Sequence, residues 1–250
     1  MNVRLIDHMG DDISIVQAAR VSYGEGTKSV SEDRQLIRYL MRHWHTTPFE
    51  MVEFKFHVKV PIFVARQWLR HRTASVNELS ARYSVVKDDV WIPDTYRNQS
   101  TTNKQGSEDS FEDSSAQKSQ EYSCGIAFEV YNGLVERGIA RELARVHLPQ
   151  STFTEFYWKI NLHNLFHFLR LRMDHHAQKE IHECSRIIFE IIKPIVPLAC
   201  EAFMDYRVNA LTITGPEAHA LRTGIVDHLS KGERREFEEK CRLLDLQYTK

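Results

Sequence analysis

A short polar segment, residues 70–84, is dense in side chains that can bind anions. It contains three arginines, one histidine, one glutamate, one asparagine and three serines. One carboxylate cannot neutralise three guanidinium groups, and a guanidinium is well shaped to bind a phosphate through two parallel hydrogen bonds. The composition therefore favours an anion-binding site. From charge alone, the alternative is a solvated turn whose arginines are attracted by the negative end of a helix.

The polar segment follows a strand and a helix that would hold it in place. Residues 51–60 alternate strictly between apolar and polar side chains, which predicts a strand with one face in water and hence an antiparallel or mixed sheet. Pro61 suits the first turn of a helix, which we expect over residues 62–72. Polar clusters that leave the end of a core element are where folds commonly present binding sites.

Apolar periodicity predicts the remaining elements. We expect further strands at residues 1–7 and 151–160, and helices at 14–20, 32–43, 128–137, 139–147, 162–173, 178–192, 198–206 and 230–244. Ser14, Ser31 and Ser230 are the expected N-caps. Residues 98–120 are dominated by polar side chains and predict a flexible surface insertion.

Length, charge and cysteine spacing limit the function classes. The chain has 250 residues and a net charge of −1 at pH 7, so it can form one large or two small domains, and a general nucleic-acid surface is disfavoured. No apolar run approaches the ~20 residues of a membrane helix, and residues 1–10 lack a signal-peptide core. The four cysteines have no CxxC spacing, which indicates reduced thiols and a cytoplasmic protein.

Histidines are frequent between residues 161 and 182. His163 and His167 lie four residues apart on one helix face, a spacing that metal sites also use. No HExxH motif is present, so structural histidines or histidines that bind a polar cofactor are the stronger interpretations. The phosphate loops GxGxxG and GxxxxGK[ST] are absent as well, so any phosphate must be held by arginine side chains and loop amides.

The polar segment resembles the RHRxxSxNExSxR signature of flavin-dependent thymidylate synthases at every fixed position. The matching residues are Arg70, His71, Arg72, Ser75, Asn77, Glu78, Ser80 and Arg82. Further blocks that are similar to this family lie at residues 18–22, 45–50, 63–68, 141–145 and 171–181. The resemblance does not explain residues 98–120 or the chain after residue 206.

The resemblance implies a fold, an assembly and a reaction. The implied fold is α/β (α+β), with a mostly antiparallel sheet flanked by helices, in a single domain at residues 1–206 followed by a helical extension at 207–250. The implied assembly is a homotetramer whose active sites combine several subunits. The implied reaction converts dUMP to dTMP, with carbon from 5,10-methylenetetrahydrofolate and reducing equivalents from NADPH through FAD. Because a hydride can activate the uracil ring, no cysteine nucleophile is required.

The resemblance also assigns a dUMP site. Arg172 is expected to contact the uracil ring and to stabilise its anionic form, which makes it the candidate catalytic residue. Arg82 and the amides around Ser80 are expected to hold the phosphate, together with Arg145 from a neighbouring subunit. The complete set of expected dUMP residues is Gln67, Arg70, Glu78, Leu79, Ser80, Ala81, Arg82, Arg145 and Arg172.

A flavin site shares two of these residues. By resemblance, Arg70 and Glu78 contact both ligands, and His45 lies at the flavin face that folate or nicotinamide approaches. No metal is expected. The complete set of expected FAD residues is Ser22, Thr47, Glu50, Arg70, His71, Arg72, Glu78, Asn161, His163, His167 and His176.

Two other functions fit parts of the sequence. Arginines, histidines and aromatic residues would also suit an RNA- or nucleotide-binding module without catalysis, although the net charge of −1 argues against it. His163, His167 and His176 would suit a helical metalloenzyme. Ser80 is an alternative nucleophile, but no general base lies beside it in the sequence, so we interpret it as a binding residue.

Overall fold

An antiparallel sheet forms the centre of the fold. The structure is a computed structural model that describes residues 1–21, 30–101 and 106–246. The strands are β1 (Asn2–Met9), β2 (Glu53–Pro61), β3 (Ser75–Glu78), β4 (Tyr96–Gln99), β5 (Ser107–Phe111) and β6 (Phe153–Asn161). Four of them form one sheet in the order β1-β2-β6-β3, and β4 pairs with β5 separately. Every pairing in the main sheet is antiparallel, which confirms the prediction.

Helices flank this sheet. The helices are α1 (Asp12–Arg20), α2 (Val30–Arg42), α3 (Thr47–Glu50), α4 (Ile62–Trp68), α5 (Ser114–Glu136), α6 (Arg141–Ala144), α7 (Leu162–Arg172), α8 (Lys179–Ile192), α9 (Pro197–Phe203), α10 (Gly215–Thr223) and α11 (Lys231–Leu243). Helix α4 packs on β2 and β6, α7 packs on β6, and α8 packs on β1. The fold is therefore α+β, as expected.

Strand β2 has the two faces that its alternating sequence predicts. Phe54, Phe56 and Val58 are completely buried in the core. On the opposite face, the carboxylate of Glu53 pairs with the ammonium group of Lys159 in β6 at 3.1 Å. Burial of the apolar face fixes the register of the strand, because a shift by one residue would expose all of these side chains.

An aromatic cluster fixes α4 and α7 on the sheet. The ring of Trp68, in the last turn of α4, has its centroid 5.3 Å from that of Trp158 in β6 and 5.0 Å from that of Phe168 in α7. All three side chains are completely buried. Aromatic pairs of this kind stabilise a fold by about 0.5–1.5 kcal/mol each beyond their buried area. The cluster therefore holds the ends of both helices, where Gln67 and Arg172 lie.

Two helix starts differ from the prediction. Asp11, not Ser14, is the N-cap of α1, because its carboxylate accepts hydrogen bonds from the main-chain nitrogens of Ile13 and Ser14. Ser14 is instead the partner in this capping box. Helix α2 begins one residue before Ser31, so Ser31 lies inside the helix.

The polar segment contains a strand that was not predicted. Helix α4 ends at Trp68 rather than at residue 72. The chain then turns, and β3 pairs along the edge of β6 from Ser75 to Glu78. The expected functional loop is therefore divided into a turn, a short edge strand and a second loop.

The expectation for residues 98–120 was wrong with respect to regular structure. Strand β4 pairs with β5, from Tyr96 opposite Phe111 to Gln99 opposite Ser107. Helix α5 begins at Ser114, well before the predicted residue 128, because the Asp113 carboxylate caps it. The polar composition concealed these elements, since most of their side chains are exposed.

The chain divides into two compact units, Met1–Phe203 and Met204–Lys250. The expected domain limit at residue 206 stays a prediction. In the second unit, α10 and α11 contribute Ala220 and Phe237 to a small buried cluster. Helix α10 was not predicted. None of the described helices is long and apolar enough to cross a membrane.

Candidate active site

Arg172 is held by two groups at the end of α4. Its Nε atom donates a hydrogen bond to Nε2 of His71 at 3.0 Å, and one of its terminal nitrogens donates to the main-chain oxygen of Gln67 at 3.1 Å. The structure thus joins two expected dUMP residues with one expected flavin residue. Within the described residues no carboxylate pairs with Arg172, so its positive charge is not neutralised.

His71 is neutral in this arrangement. Burial, followed by the charges of Arg172 and His167, lowers the pKa of His71 from 6.5 to about 4. Since Nε2 accepts the bond from Arg172, the proton of the neutral ring lies on Nδ1. Burial also lowers the pKa of Arg172. A neutral acceptor therefore orients the guanidinium without cancelling its charge.

The depressed pKa of His71 predicts a pH-dependent stability. The unfolded chain binds a proton at His71 near pH 6.5, whereas the folded chain binds it only near pH 4. The free energy of unfolding should therefore fall as the pH drops from about 6.5 to about 4, and this contribution should be constant outside that window. His71→Gln keeps an acceptor for Arg172 but does not titrate, so its stability should fall less over the same range.

The measurement is chemical denaturation of both proteins between pH 4 and 7. The difference between the two curves matters, because burial raises the pKa of Asp12 to about 6, which changes stability in the opposite direction. This contribution cancels in the difference. Parallel curves for wild type and His71→Gln would contradict the assignment.

Other expected flavin residues lie near this group. The ring centroids of His71 and His167 are 6.0 Å apart. Burial lowers the pKa of His163, against the opposing charge of Glu50. Asn161 caps α7, and its side-chain oxygen accepts from the main-chain nitrogen of Asn164 at 2.9 Å. Asn161 therefore has a structural role whether or not it also contacts a ligand.

The remaining expected flavin residues are exposed or lie elsewhere. Arg70 and Arg72 are exposed, and neither has a hydrogen bond or ion pair within the described parts of the chain. Thr47 begins the short helix α3. His176 donates from its main-chain nitrogen to the Asp174 carboxylate at 2.8 Å. The last residue of the set, Ser22, lies outside the described residues.

His45, expected at the folate or nicotinamide face, stacks on an exposed aromatic residue. Its ring centroid is 5.9 Å from that of Tyr39, with an angle of 23° between the ring planes. Tyr39 lies in α2 and was not predicted as a site residue. The helical spacing of α2 could have indicated that Tyr39 approaches the turn at His45.

A second group of expected dUMP residues lines a cavity of about 200 Å³. Glu78, Leu79, Ala81 and Arg145 all contribute to its wall. One carboxylate oxygen of Glu78, Oε1, accepts a hydrogen bond from Oγ1 of Thr154 at 2.6 Å. Thr154 was not predicted, although it is a polar residue in the buried alternation of β6.

Helix α6 holds the loop that follows β3. Arg82 pairs with Glu142 at 3.3 Å, and the Ser80 hydroxyl accepts from the main-chain nitrogen of Arg82 at 3.3 Å. Arg141 donates to the main-chain oxygen of Tyr83 at 2.7 Å. An exposed ion pair such as Arg82–Glu142 stabilises by only ~0–1 kcal/mol, so it holds the Arg82 side chain weakly.

Arg145 lines the cavity together with Glu78, Leu79 and Ala81 of the same chain. Helices α5 and α6 pack together and bring it there. That it reaches the phosphate from a neighbouring subunit stays a prediction. Within the described residues, no hydrogen bond or ion pair joins this cavity group to the group around Arg172.

The cysteines and Ser80 offer no activated nucleophile. All four cysteines are buried thiols, and burial raises the pKa of Cys184 to about 12. None of them lines the cavity that contains Glu78. No side chain of the described residues accepts a hydrogen bond from the Ser80 hydroxyl, so the structure provides no general base for it.

Metal-ligating side chains meet at one exposed place among the described residues. Asp174, His175 and His176 have ligand atoms within 4.8 Å of one another. His163 and His167 are not part of this group, so the set expected for a metalloenzyme is not brought together in the part of the chain that the structure describes.

Comparison with known proteins identifies the family. Residues 4–198 match the family described as thymidylate synthase complementing protein. A flavin-dependent thymidylate synthase from Dictyostelium discoideum is 57% identical over 238 residues, which cover 93% of this chain and 78% of that protein. The enzyme of the same name from Treponema denticola is 52% identical over 256 residues, which cover 96% and 94% of the two chains.

A solved structure has the same fold. The crystal structure of a UMP/dUMP methylase from Streptomyces cacaoi, bound with 5-Br dUMP, superposes with a TM-score of 0.78 at 35% identity and covers 83% of this chain and 96% of that chain. The resemblance that the arginine-rich signature predicted is thus confirmed over most of the sequence. The chain belongs to the flavin-dependent thymidylate synthase family.

Proposed function

We propose that the chain catalyses the reductive methylation of dUMP to dTMP in the cytoplasm, with 5,10-methylenetetrahydrofolate as carbon donor and NADPH as reductant through FAD. Similarity to flavin-dependent thymidylate synthases and to a methylase bound with 5-Br dUMP supports this activity. The observation that carries it is the guanidinium of Arg172, which His71 and Gln67 orient without neutralising it.

An oriented cation without a carboxylate partner suits a substrate that becomes an anion. Arg172 stabilises the negative charge that develops on the uracil ring, and it needs little reorganisation because its two hydrogen bonds are already formed. At the cavity, Arg145 and Arg82 bind the phosphate together with the amides around Ser80. Glu78 accepts a hydrogen bond from the nucleotide.

The side chains near His71 fit a flavin. Arg70 and Arg72 are exposed cations without partners in the described ranges, and a diphosphate requires such donors. Burial lowers the pKa of both His71 and His163. Nε2 of the neutral His71 ring accepts from Arg172, so Nδ1 can donate a hydrogen bond to a ligand. When bound, the flavin supplies a hydride to the uracil ring, which removes the need for a protein nucleophile.

We propose a homotetramer with shared sites, as the family resemblance implies. The cavity group and the Arg172 group share no hydrogen bond or ion pair within the described residues, yet both carry residues expected around one dUMP. In a homotetramer, the Arg172 group of one subunit can face the cavity group of another. Closed symmetric assemblies generate such equivalent sites from each pair of subunits.

The test is flavin binding together with turnover. The purified protein should be yellow, should lose its flavin absorption on anaerobic addition of NADPH, and should form dTMP from dUMP and methylenetetrahydrofolate. Arg70→Ala combined with Arg72→Ala should weaken FAD binding roughly 100-fold or more, because each lost hydrogen bond to a charged group costs about 1.5–3 kcal/mol. FAD titration of the flavin-free proteins measures this.

Arg66→Ala is the matched control. Arg66 is also exposed, lies one turn earlier in α4 and has no partner in the described part of the chain, so its loss should leave FAD affinity unchanged. A colourless protein that takes up no FAD, but binds RNA with a strong dependence on salt, would support the nucleotide-binding module instead.

A further inference from the structure

We infer that Thr154 is a positioning residue that orients the carboxylate of Glu78 towards the substrate; this inference rests on the proposed function. The hydroxyl of Thr154 donates to Oε1 of Glu78 at 2.6 Å. Across residues 1–21, 30–101 and 106–246, no other side chain forms a hydrogen bond with this carboxylate.

The main chain alone does not fix the Glu78 side chain. Glu78 is the last residue of β3, an edge strand whose residues are all exposed. It lies opposite Phe156, so its side chain leaves the sheet on the same face as Phe156 and Thr154. The main-chain nitrogen of Leu79 donates to the main-chain oxygen of Glu155 at 2.8 Å. The main-chain hydrogen bonds between β3 and β6 therefore fix the position of the Glu78 main chain. The hydrogen bond from the Thr154 hydroxyl fixes the position of its carboxylate.

The hydrogen bond gives the two carboxylate oxygens different roles. A hydroxyl has one proton to donate, and Thr154 gives it to Oε1. Oε2 then keeps its lone pairs for a donor on the ligand, in a cavity whose wall also contains Arg145. Without Thr154, an exposed glutamate at the end of an edge strand has several rotamers, and each dUMP that binds must select one of them.

Thr223 is a control that does not line the cavity. It lies at the end of α10, and its hydroxyl donates a hydrogen bond to the main-chain oxygen of His219 at 2.9 Å. Valine has nearly the shape of threonine. Thr223→Val therefore removes a bonded hydroxyl away from the cavity wall, whereas Thr154→Val removes the hydroxyl that bonds to Glu78.

The experiment measures dUMP affinity of the flavin-loaded enzyme by calorimetry. Thr154→Val should raise the Kd for dUMP by roughly ten-fold or more, as for the loss of a hydrogen bond that involves a charged group. Thr223→Val should stay within about two-fold of wild type, and Thr154→Ser, which keeps the hydroxyl, should recover most of the affinity. If valine at position 154 prevents folding, Thr154→Ala replaces it with the same expectations.

A double-mutant cycle identifies the route of the effect. If Thr154 acts through Glu78, then Thr154→Val should change nothing further in a Glu78→Ala background. The inference is overturned if Thr154→Val matches Thr223→Val, if serine fails to restore affinity, or if the same loss recurs without Glu78. Turnover of wild type reports separately on the proposed function, so an active wild type with equivalent variants would refute the role of Thr154 alone.

Discussion

Replacing Arg172 with alanine is expected to lower the rate of dTMP formation by about 10²–10³-fold, the usual cost of removing one preorganised group that stabilises developing charge. His71 and the main-chain oxygen of Gln67 hold the guanidinium from two sides. Its position is therefore set before the substrate binds. Flavin content should stay close to that of wild type, because Arg70, Arg72 and His71 all remain and only the hydrogen bond from Arg172 to His71 is lost.

Two further variants make this result specific. Arg170→Ala removes the same charge from the same helix, but Arg170 is exposed and has no partner in the described ranges, so activity should be unchanged. Arg172→Lys should also be impaired, because an ammonium group lacks the planar fork that bonds both His71 and Gln67. Single-turnover rates and flavin absorption are measured on each protein. Equal losses of flavin and turnover in Arg172→Ala would assign Arg172 to the cofactor instead.

Local sequence patterns predicted the parts of the fold in which one face is buried. The alternation in β2 specified its strand because Phe54, Phe56 and Val58 all enter the core. Residues 107–111 gave no such signal, since β5 is exposed along its whole length. The start of α1 was misplaced for a different reason. Asp11 and Ser14 are both good capping residues, and only the main-chain conformation decides which of them is the cap.

The candidate site was predictable as a set of residues but not as a geometry. The family resemblance assigned roles to Arg172 and His71, yet nothing local in the sequence indicates that their side chains bond across more than a hundred residues. The aromatic cluster around Trp68 and Phe168 produces this contact. Thr154 was missed because it lies inside a strand pattern, where a threonine is an ordinary residue. Pairings of this kind follow from tertiary packing alone.

The two groups of site residues predict a second large effect, the recovery of activity when two inactive variants are co-expressed. Arg172→Ala removes one group and leaves the cavity intact, whereas Arg145→Ala weakens the cavity and leaves Arg172 in place. Each variant alone should have very low activity at limiting dUMP. If sites are shared between subunits, co-expression of the two variants should restore roughly a quarter of wild-type activity, because half of randomly formed symmetric pairs are mixed and each mixed pair has one intact site.

A double variant provides the reciprocal experiment. A chain with both Arg172→Ala and Arg145→Ala, co-expressed with wild type, should inactivate both sites of every mixed pair, since each site then contains one defective group. The activity per wild-type subunit should fall to about half. Sites built within one chain predict the opposite pattern: no recovery when the single variants are mixed, and full activity of each wild-type subunit beside the double variant. Differently tagged chains, quantified through their tags and assayed for dTMP without selection of mixed pairs, separate the two arrangements, because only shared sites let two defective proteins produce an active one.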